Sequence, residues 1–233
     1  MARPPATNEA FLREVDDELR RDELLAAWRR WGRAGVAALV VALALFAGWL
    51  YWRHHSEVTA GVEGETLQGA YDQIAAGQTA QANASLTQLA GSRSDGYRAL
   101  AQLAQADLLV QSKNLKGAAA EYAAIAADGS LAQPFRDLAL IRQTTVEYDT
   151  LSPQTVVERL RPLAAPGNPW FGTAGELTAI AYLRQNRRDL AARLFGQIAR
   201  TEDVPPSIRQ RAVQMASAMG IDAAPQSGAT PQP

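Results

Sequence analysis

The chain has 233 residues, no cysteine and a formal net charge of -1. The absence of cysteine excludes disulfides and thiolate metal sites, and the balanced charge excludes the basic surface on which nucleic-acid binding depends. About fifty residues form an N-terminal leader and an apolar segment, so the remaining length suits one domain of ordinary size.

The N-terminal leader, residues 1–33, carries an amphipathic pattern from about residue 9 to residue 30. Apolar residues recur there at helical spacing, between acidic residues and arginines: Phe11, Leu12, Val15, Leu19, Leu24, Leu25 and Trp28. The pattern predicts an amphipathic helix. Two roles stay open for this helix: it lies on the inner leaflet of a membrane, or it docks a cytoplasmic or membrane partner.

The apolar segment, residues 34–52, contains no charged side chain. At a rise of about 1.5 Å per residue it covers roughly the hydrocarbon thickness of a bilayer. Aromatic residues suited to the headgroup layer stand near both ends: Trp28, Trp31, Trp49, Tyr51 and Trp52. A cleaved secretion signal, with a weak peptidase site ending at Ala60, is the alternative. The lengths of the leader and of the apolar segment both favour an uncleaved transmembrane helix.

The distribution of arginines predicts the orientation of this helix. Five arginines lie close before the apolar segment, within residues 20–33, whereas only Arg53 follows it before Arg93. Positively charged flanks are retained on the cytoplasmic side. We therefore expect a single-pass protein with residues 1–33 in the cytoplasm, a linker at 53–62, and the C-terminal domain across the membrane, which in a bacterial cell is the periplasm.

A helical pattern recurs four times after the linker. Each copy has a small or β-branched residue, a large apolar residue four positions later and an aliphatic residue three positions after that. The four copies begin at Ala82, Ala118, Val156 and Ala191, and a turn signal precedes each of them: Gly77, Asn114, Ser152 with Pro153, and Asn186. The sequence therefore predicts an all-α domain of stacked helical hairpins over residues 63–220, followed by a disordered tail at 221–233.

This pattern resembles the tetratricopeptide repeat, in which a small residue stands where the second helix crosses the first. The second and fourth copies carry the resemblance best, through Leu109, Leu115, Ala118 and Tyr122 and through Tyr182, Ala191 and Phe195. The resemblance implies a helical-hairpin solenoid that binds other proteins. An irregular all-α domain, in which abundant alanine produces such spacings by chance, is the alternative.

No group of residues indicates catalysis, a cofactor, a metal or a small-molecule substrate. His54 and His55 are the only histidines, and they are adjacent at the predicted membrane edge, where they are poorly placed to share a metal. The acidic residues of the domain stand singly on predicted helices, without a neighbouring nucleophile and base. We therefore expect a protein that acts by contact rather than as an enzyme.

The predicted hairpins also indicate where a partner binds. Stacked helical repeats form a concave surface lined by the first helix of each pair. If Leu109 and Tyr182 are equivalent buried positions, helical geometry turns four polar residues towards that surface: Asp107, Gln111, Glu176 and Arg184. We predict that these residues contact a partner.

The anchor and the repeats together resemble the ancillary SecYEG translocon subunit family of Gram-negative inner membranes. The most specific element is the motif at the membrane exit, Gly48, Trp49, Tyr51 and Trp52. The resemblance implies association with the SecYEG translocon and with periplasmic chaperones that receive exported proteins. Another anchored scaffold, serving cell division or envelope assembly, is the alternative function.

Overall fold

The computed structural model describes the backbone of residues 7–221 and the side chains of residues 32–221. This part of the chain is all-helical, without a strand, which confirms the predicted fold class. Its nine helices are α1 (Thr7–Ala75), α2 (Thr79–Ala90), α3 (Asp95–Gln111), α4 (Leu115–Ala127), α5 (Gln133–Val146), α6 (Pro153–Leu160), α7 (Phe171–Arg184), α8 (Arg188–Arg200) and α9 (Pro206–Ala218). The tail predicted to be disordered lies, from residue 222 onward, outside the described residues.

The first of two compact units ends at Gly61. From Gly32 onward α1 is long and apolar enough to cross a membrane. Residues 9–30 are helical as part of α1, but their side chains lie outside the described residues. Residues 53–62, predicted as a linker, are also helical. No proline interrupts them, and Arg53 and Glu57 form an i,i+4 ion pair at 2.9 Å there.

The second unit begins at Val62 and consists of helical hairpins closed by a last helix, α9. In chain order the hairpins are the end of α1 with α2, α3 with α4, α5 with α6, and α7 with α8. In the third hairpin the contact between the two helices is slight, and α5 packs mainly against α4 and α6 mainly against α7. The four predicted triplets are all buried in the core, none more than 4% exposed: Ala82, Leu86 and Leu89; Ala118, Tyr122 and Ile125; Val156, Leu160 and Leu163; Ala191, Phe195 and Ile198. The repeat pattern therefore gave the core-facing side of each second helix correctly.

Each core cluster joins one second helix to its own first helix and to the first helix of the next hairpin. In the second hairpin, Tyr122 and Ile125 of α4 pack with Leu103 of α3 and Ala139 of α5. The other clusters follow the same order along the chain. Burial against nearest neighbours alone is the arrangement expected of a repeat protein.

Three hairpins close with the same backbone turn. Gly77, Lys113 and Asn186 have positive φ angles of 74°, 63° and 59°. The residue after each of them donates its backbone N–H to a carbonyl five positions earlier, at 2.8 Å in all three turns. This is the Schellman motif that ends a helix through a left-handed residue. Asn114, predicted as a turn signal, lies in the second of these turns, and its side chain also caps α4 by accepting a hydrogen bond from the Gly117 N–H at 3.0 Å.

The third hairpin closes differently. Residues 147–152 join α5 to α6 without a positive φ angle. Ser152 then caps α6 by accepting from the Thr155 N–H at 3.1 Å, and Pro153 occupies the first turn. The resulting α6 has 8 residues, whereas α2, α4 and α8 have 12, 13 and 13. A longer connection thus precedes a shorter second helix.

Candidate partner-binding surface

In the second, third and fourth hairpins the two helices differ in their exposure to solvent. No residue is fully exposed over 96–110 of α3, 135–144 of α5 or 171–183 of α7, whereas α2, α4, α6 and α8 all carry exposed residues. We call α3, α5 and α7 the inner layer and α2, α4, α6 and α8 the outer layer. A partner that binds the inner layer therefore meets half-buried side chains.

Asp107 lies at the centre of a polar cluster in the inner layer. Its carboxylate accepts a hydrogen bond from the hydroxyl of Tyr122 and pairs with the guanidinium of Arg142 on α5. The side chains of Asp107 and Arg142 remain 41% and 37% exposed. The cluster joins two successive hairpins and still presents charge to solvent.

Two tyrosines beside this carboxylate are held in the protonated form. Burial raises the pKa of Tyr122, and its hydrogen bond to Asp107 raises that pKa further. Burial also raises the pKa of Tyr71, with a smaller contribution from the Asp107 charge. Both effects disfavour a phenolate. Near neutral pH the cluster therefore consists of two phenols, one carboxylate and one guanidinium.

Glu176 forms the corresponding contact at the other end of the domain. Its two carboxylate oxygens accept from Nε and one terminal nitrogen of Arg211 on α9, at 2.8 and 2.7 Å. Such a bidentate pair fixes the relative orientation of the two helices more narrowly than a single hydrogen bond. Arg211 remains 52% exposed and Glu176 22% exposed, so the cation is the more accessible partner.

Arg184 makes its contacts with the third hairpin. Its guanidinium donates to the carbonyl of Tyr148 at 2.8 Å and to that of Leu151 at 3.4 Å, and it lies over the Tyr148 ring at 5.3 Å from the centroid. In return the Tyr148 hydroxyl donates to the Leu177 carbonyl at 3.1 Å. Arg184 therefore binds two carbonyls of the α5–α6 connection, whose backbone also forms local hydrogen bonds, from the Thr150 and Leu151 N–H groups to the Glu147 carbonyl at 2.9 Å.

The fourth predicted residue, Gln111, is exposed near the end of α3 and makes no hydrogen bond within residues 32–221. Asp107, Glu176 and Arg184 each contact a different neighbour rather than one another. Leu109 and Tyr182, taken as buried markers, are half-buried. They do occupy equivalent positions, because each lies four residues before a left-handed turn residue.

The sequence interpretation missed Arg142 and Arg211, the partners of two predicted residues. Both ion pairs join residues 35 positions apart, and Arg184 contacts the backbone of a residue 36 positions away. These separations equal the repeat period that the buried triplets had already given. Opposite charges separated by one period were therefore a usable signal.

The membrane-exit motif lies in the first unit. Trp49, Tyr51 and Trp52 are 50%, 75% and 70% exposed, and a Cβ atom added to Gly48 would meet no atom within 4 Å. Arg53 lies over the Trp49 ring at 5.7 Å from its centroid, a cation–π contact. Exposed aromatic rings beside a cation are typical of a membrane–water interface.

Within residues 32–221 no group of three His, Asp or Glu side chains lies close enough to hold a metal ion. The ion pairs of Asp107 and Glu176 each join two neighbouring helices of this region.

A family model described as a tetratricopeptide repeat-like domain matches residues 26–215. The chain belongs to the tetratricopeptide repeat-like domain family. The match begins before the apolar segment, so it covers this segment as well as the hairpins. No curated protein and no solved structure matches the chain. Membership confirms the predicted tetratricopeptide-like fold and indicates a helical scaffold for protein–protein interaction.

Proposed function

We propose that this tetratricopeptide repeat-like protein is a non-enzymatic adaptor, anchored in the inner membrane, that associates with the SecYEG translocon and links exported proteins to periplasmic chaperones. The observation that carries the proposal is the combination, in one chain, of a membrane-length apolar helix and a unit of stacked helical hairpins. A scaffold of this kind acts by presenting a surface, and an anchor confines that surface to one membrane.

The resemblance of the membrane-exit motif to ancillary translocon subunits gives the proposal its specific partners. Trp49, Tyr51 and Trp52 are exposed and available to lipid or to a neighbouring transmembrane helix. The excess of arginine before residue 34 supports a cytoplasmic N-terminus and a periplasmic repeat domain.

The orientation is tested with reporter fusions after Ala60 and at the C-terminus. Both fusions should be active with an enzyme that works only in the periplasm and inactive with one that works only in the cytoplasm. A mature protein that begins at Gly61 would reject the anchor and, with it, the adaptor function.

The partners are tested by crosslinking in native membranes, with mass-spectrometric identification of the neighbours. Translocon subunits together with periplasmic chaperones are the expected result. Division or cell-wall proteins in their place would favour an anchored scaffold for another envelope process.

We place the partner contact at Asp107, Gln111, Glu176 and Arg184 in the inner layer. Because three of these residues also hold neighbouring hairpins together, replacing them with alanine changes the scaffold as well as the surface. Exchanging Glu176→Arg with Arg211→Glu keeps an opposite-charge pair while inverting the charge presented. Together with Gln111→Arg, this exchange should remove crosslinks to the partner without lowering the melting temperature by more than a few degrees. An unchanged set of neighbours would move the binding surface elsewhere.

A further inference from the structure

Three open grooves run along the outer layer. The first lies between α2 and α4 with α3 as its floor, and it encloses about 420 Å³. The third lies between α6 and α8 with α7 as its floor, and it encloses about 300 Å³. The middle groove, lined by α4, α5 and the start of the α5–α6 connection, is the largest of the three at about 540 Å³.

The middle groove has one helical wall where the other two have a pair. Residues of α4 line one side, and residues of α5 form the floor, but no residue of α6 lines it. The short α6 and the connection at 147–152 account for this difference. The stack therefore leaves room on its outer side beside α4.

The chemistry of the middle groove is more apolar than that of its neighbours. Ala119, Ala120, Ala123 and Val146 line it together with Leu115, whose side chain is 48% exposed. Within residues 79–221, Leu115 is the single strongly exposed large apolar side chain. Small side chains along α4 let another backbone approach closely, and the exposed leucine gains free energy when it is covered.

Of the two charged residues at this groove, one is in an ion pair and the other is not. Glu147 accepts from Arg159 at 2.5 Å and is thereby neutralised by its own hairpin. The side chain of Lys116 makes no hydrogen bond or ion pair within residues 32–221. The groove therefore presents one uncompensated positive charge beside an apolar surface, and its complement is a carboxylate beside apolar side chains.

The groove also selects the conformation of its occupant. Its α4 wall and α5 floor are helices whose backbone groups are already paired, and the alanine, valine and leucine side chains that make up most of its lining offer no hydrogen bonds. Two neutral polar side chains, those of Gln143 and Thr150, line the side near the connection. An extended peptide would bury unpaired amide groups there, which costs free energy. A helix satisfies its own backbone, and docking of an amphipathic helix into an apolar groove is an established mode of peptide recognition.

We propose that the groove between α4 and α5 is a second docking surface, which binds an amphipathic helix of a partner protein with an apolar face and a carboxylate directed at Lys116. This surface lies in the outer layer, so it is separate from the inner-layer contact proposed above. One scaffold can then hold two partners at once.

The test uses the full chain in detergent micelles and fluorescent 15-residue helical peptides built from alanine and leucine. Three peptides differ only at one residue beside the apolar face, which is Glu, Gln or Lys. We expect saturable binding, with the Glu peptide about fivefold tighter than the Gln peptide, the effect of one partly exposed ion pair. Lys116→Glu should reverse the order so that the Lys peptide binds most tightly.

Matched variants at two exposed alanines locate the site. Ala120→Trp fills the groove and should weaken binding of the Glu peptide at least tenfold, whereas Ala84→Trp, on α2 away from the groove, should leave it unchanged. A Glu peptide with a central proline, which cannot complete its helix, should also lose binding.

Several results would overturn the proposal. These are the absence of saturable binding by the Glu peptide, the same peptide order in wild type and Lys116→Glu, or equal losses in Ala120→Trp and Ala84→Trp. Undiminished binding of the proline peptide would reject a helical occupant. Circular dichroism of each variant checks that the fold is retained.

Discussion

The α3–α4 and α5–α6 hairpins have the same place in the stack but are closed by different means. In the first, Lys113 adopts a left-handed conformation and the Asn114 N–H reaches back to the Leu109 carbonyl. In the second, the guanidinium of Arg184, on the first helix of the next hairpin, donates hydrogen bonds to backbone carbonyls of the connection. The longer connection thus has both its own backbone hydrogen bonds and those from a side chain of the next hairpin.

This difference matters for stability and for function. The Lys113 turn depends on local backbone conformation, whereas the α5–α6 connection is held both by its own backbone and by Arg184 of α7. This longer connection precedes a short α6, and no residue of α6 lines the groove beside α4. The irregular repeat is therefore the one that adds a surface to the scaffold.

The largest expected effect comes from the cores that both kinds of hairpin share. Tyr122 and Phe195 are each 1% exposed, so truncation of either to alanine should cost about 3 to 5 kcal/mol of unfolding free energy. Denaturant unfolding in detergent, followed by circular dichroism, measures this loss. Arg187→Ala, on an exposed turn, should be near neutral. Equal unfolding midpoints for Tyr122→Ala and wild type would mean that the assignment of α4 to the core is wrong.

Alkaline pH should distinguish the two hairpins through their tyrosines. Burial raises the pKa of Tyr122 and of Tyr148 above the ordinary value of 10.0, but Asp107 raises that of Tyr122 further while Arg184 opposes the rise at Tyr148. The unfolded chain then loses phenolic protons above about pH 10 that the folded chain retains. The free energy of unfolding therefore keeps this contribution in full below about pH 10. Above that pH it falls by at most about 1.4 kcal/mol per pH unit for each such tyrosine.

Tyr122→Phe should reduce the fall of the unfolding free energy with rising pH more than Tyr148→Phe does. The measurement is the unfolding free energy of each variant from pH 8 to pH 11. A slope that Tyr122→Phe leaves unchanged would show that another group governs the alkaline transition.

Removing the guanidinium should weaken the third hairpin selectively. We expect Arg184→Ala to cost about 1 kcal/mol, because it deletes two hydrogen bonds from an exposed cation and the contact with the Tyr148 ring. Limited proteolysis should then cut residues 147–152 faster, while the turn at Lys113 stays resistant. Arg187→Ala is the matched control. Equal cleavage of both turns in the two variants would contradict closure by Arg184.

The smallest effect should be a gain in stability at the left-handed turns. Lys113→Gly should stabilise the protein by about 0.5 to 1 kcal/mol, because glycine adopts a φ of 63° without the steric cost that a lysine bears. Asn186→Gly should gain less, since asparagine tolerates this conformation better than lysine does. Thermal unfolding of both variants checks the order. A loss of stability in Lys113→Gly would mean that the lysine side chain contributes a contact.

The sequence alone determined the repeat and its core. The triplets that begin at Ala82, Ala118, Val156 and Ala191 combine the helical period with a repeat of 35 to 38 residues. Burial requires both periods at once, because one face of each second helix must meet two first helices. The apolar segment could equally be predicted to be a membrane-length helix, since the required length follows from the rise of a helix and the thickness of a bilayer.

Only the tertiary structure decided which polar residues pair and which remain open. By sequence, the predicted site residues of the first helices could not be told apart. Stacking brings Asp107, Glu176 and Arg184 each to a partner 35 or 36 residues away. The side chains of Gln111 and Lys116 remain exposed, without a partner in the part of the chain that the structure describes. The unequal closure of the hairpins, and with it the groove beside α4, also depends on the stack. The helical period and the burial pattern depend on residues close together in the sequence, so a short segment is enough to predict them. The pairing of charges and the contact of a turn with a distant side chain depend on how neighbouring hairpins pack, so they require the tertiary structure.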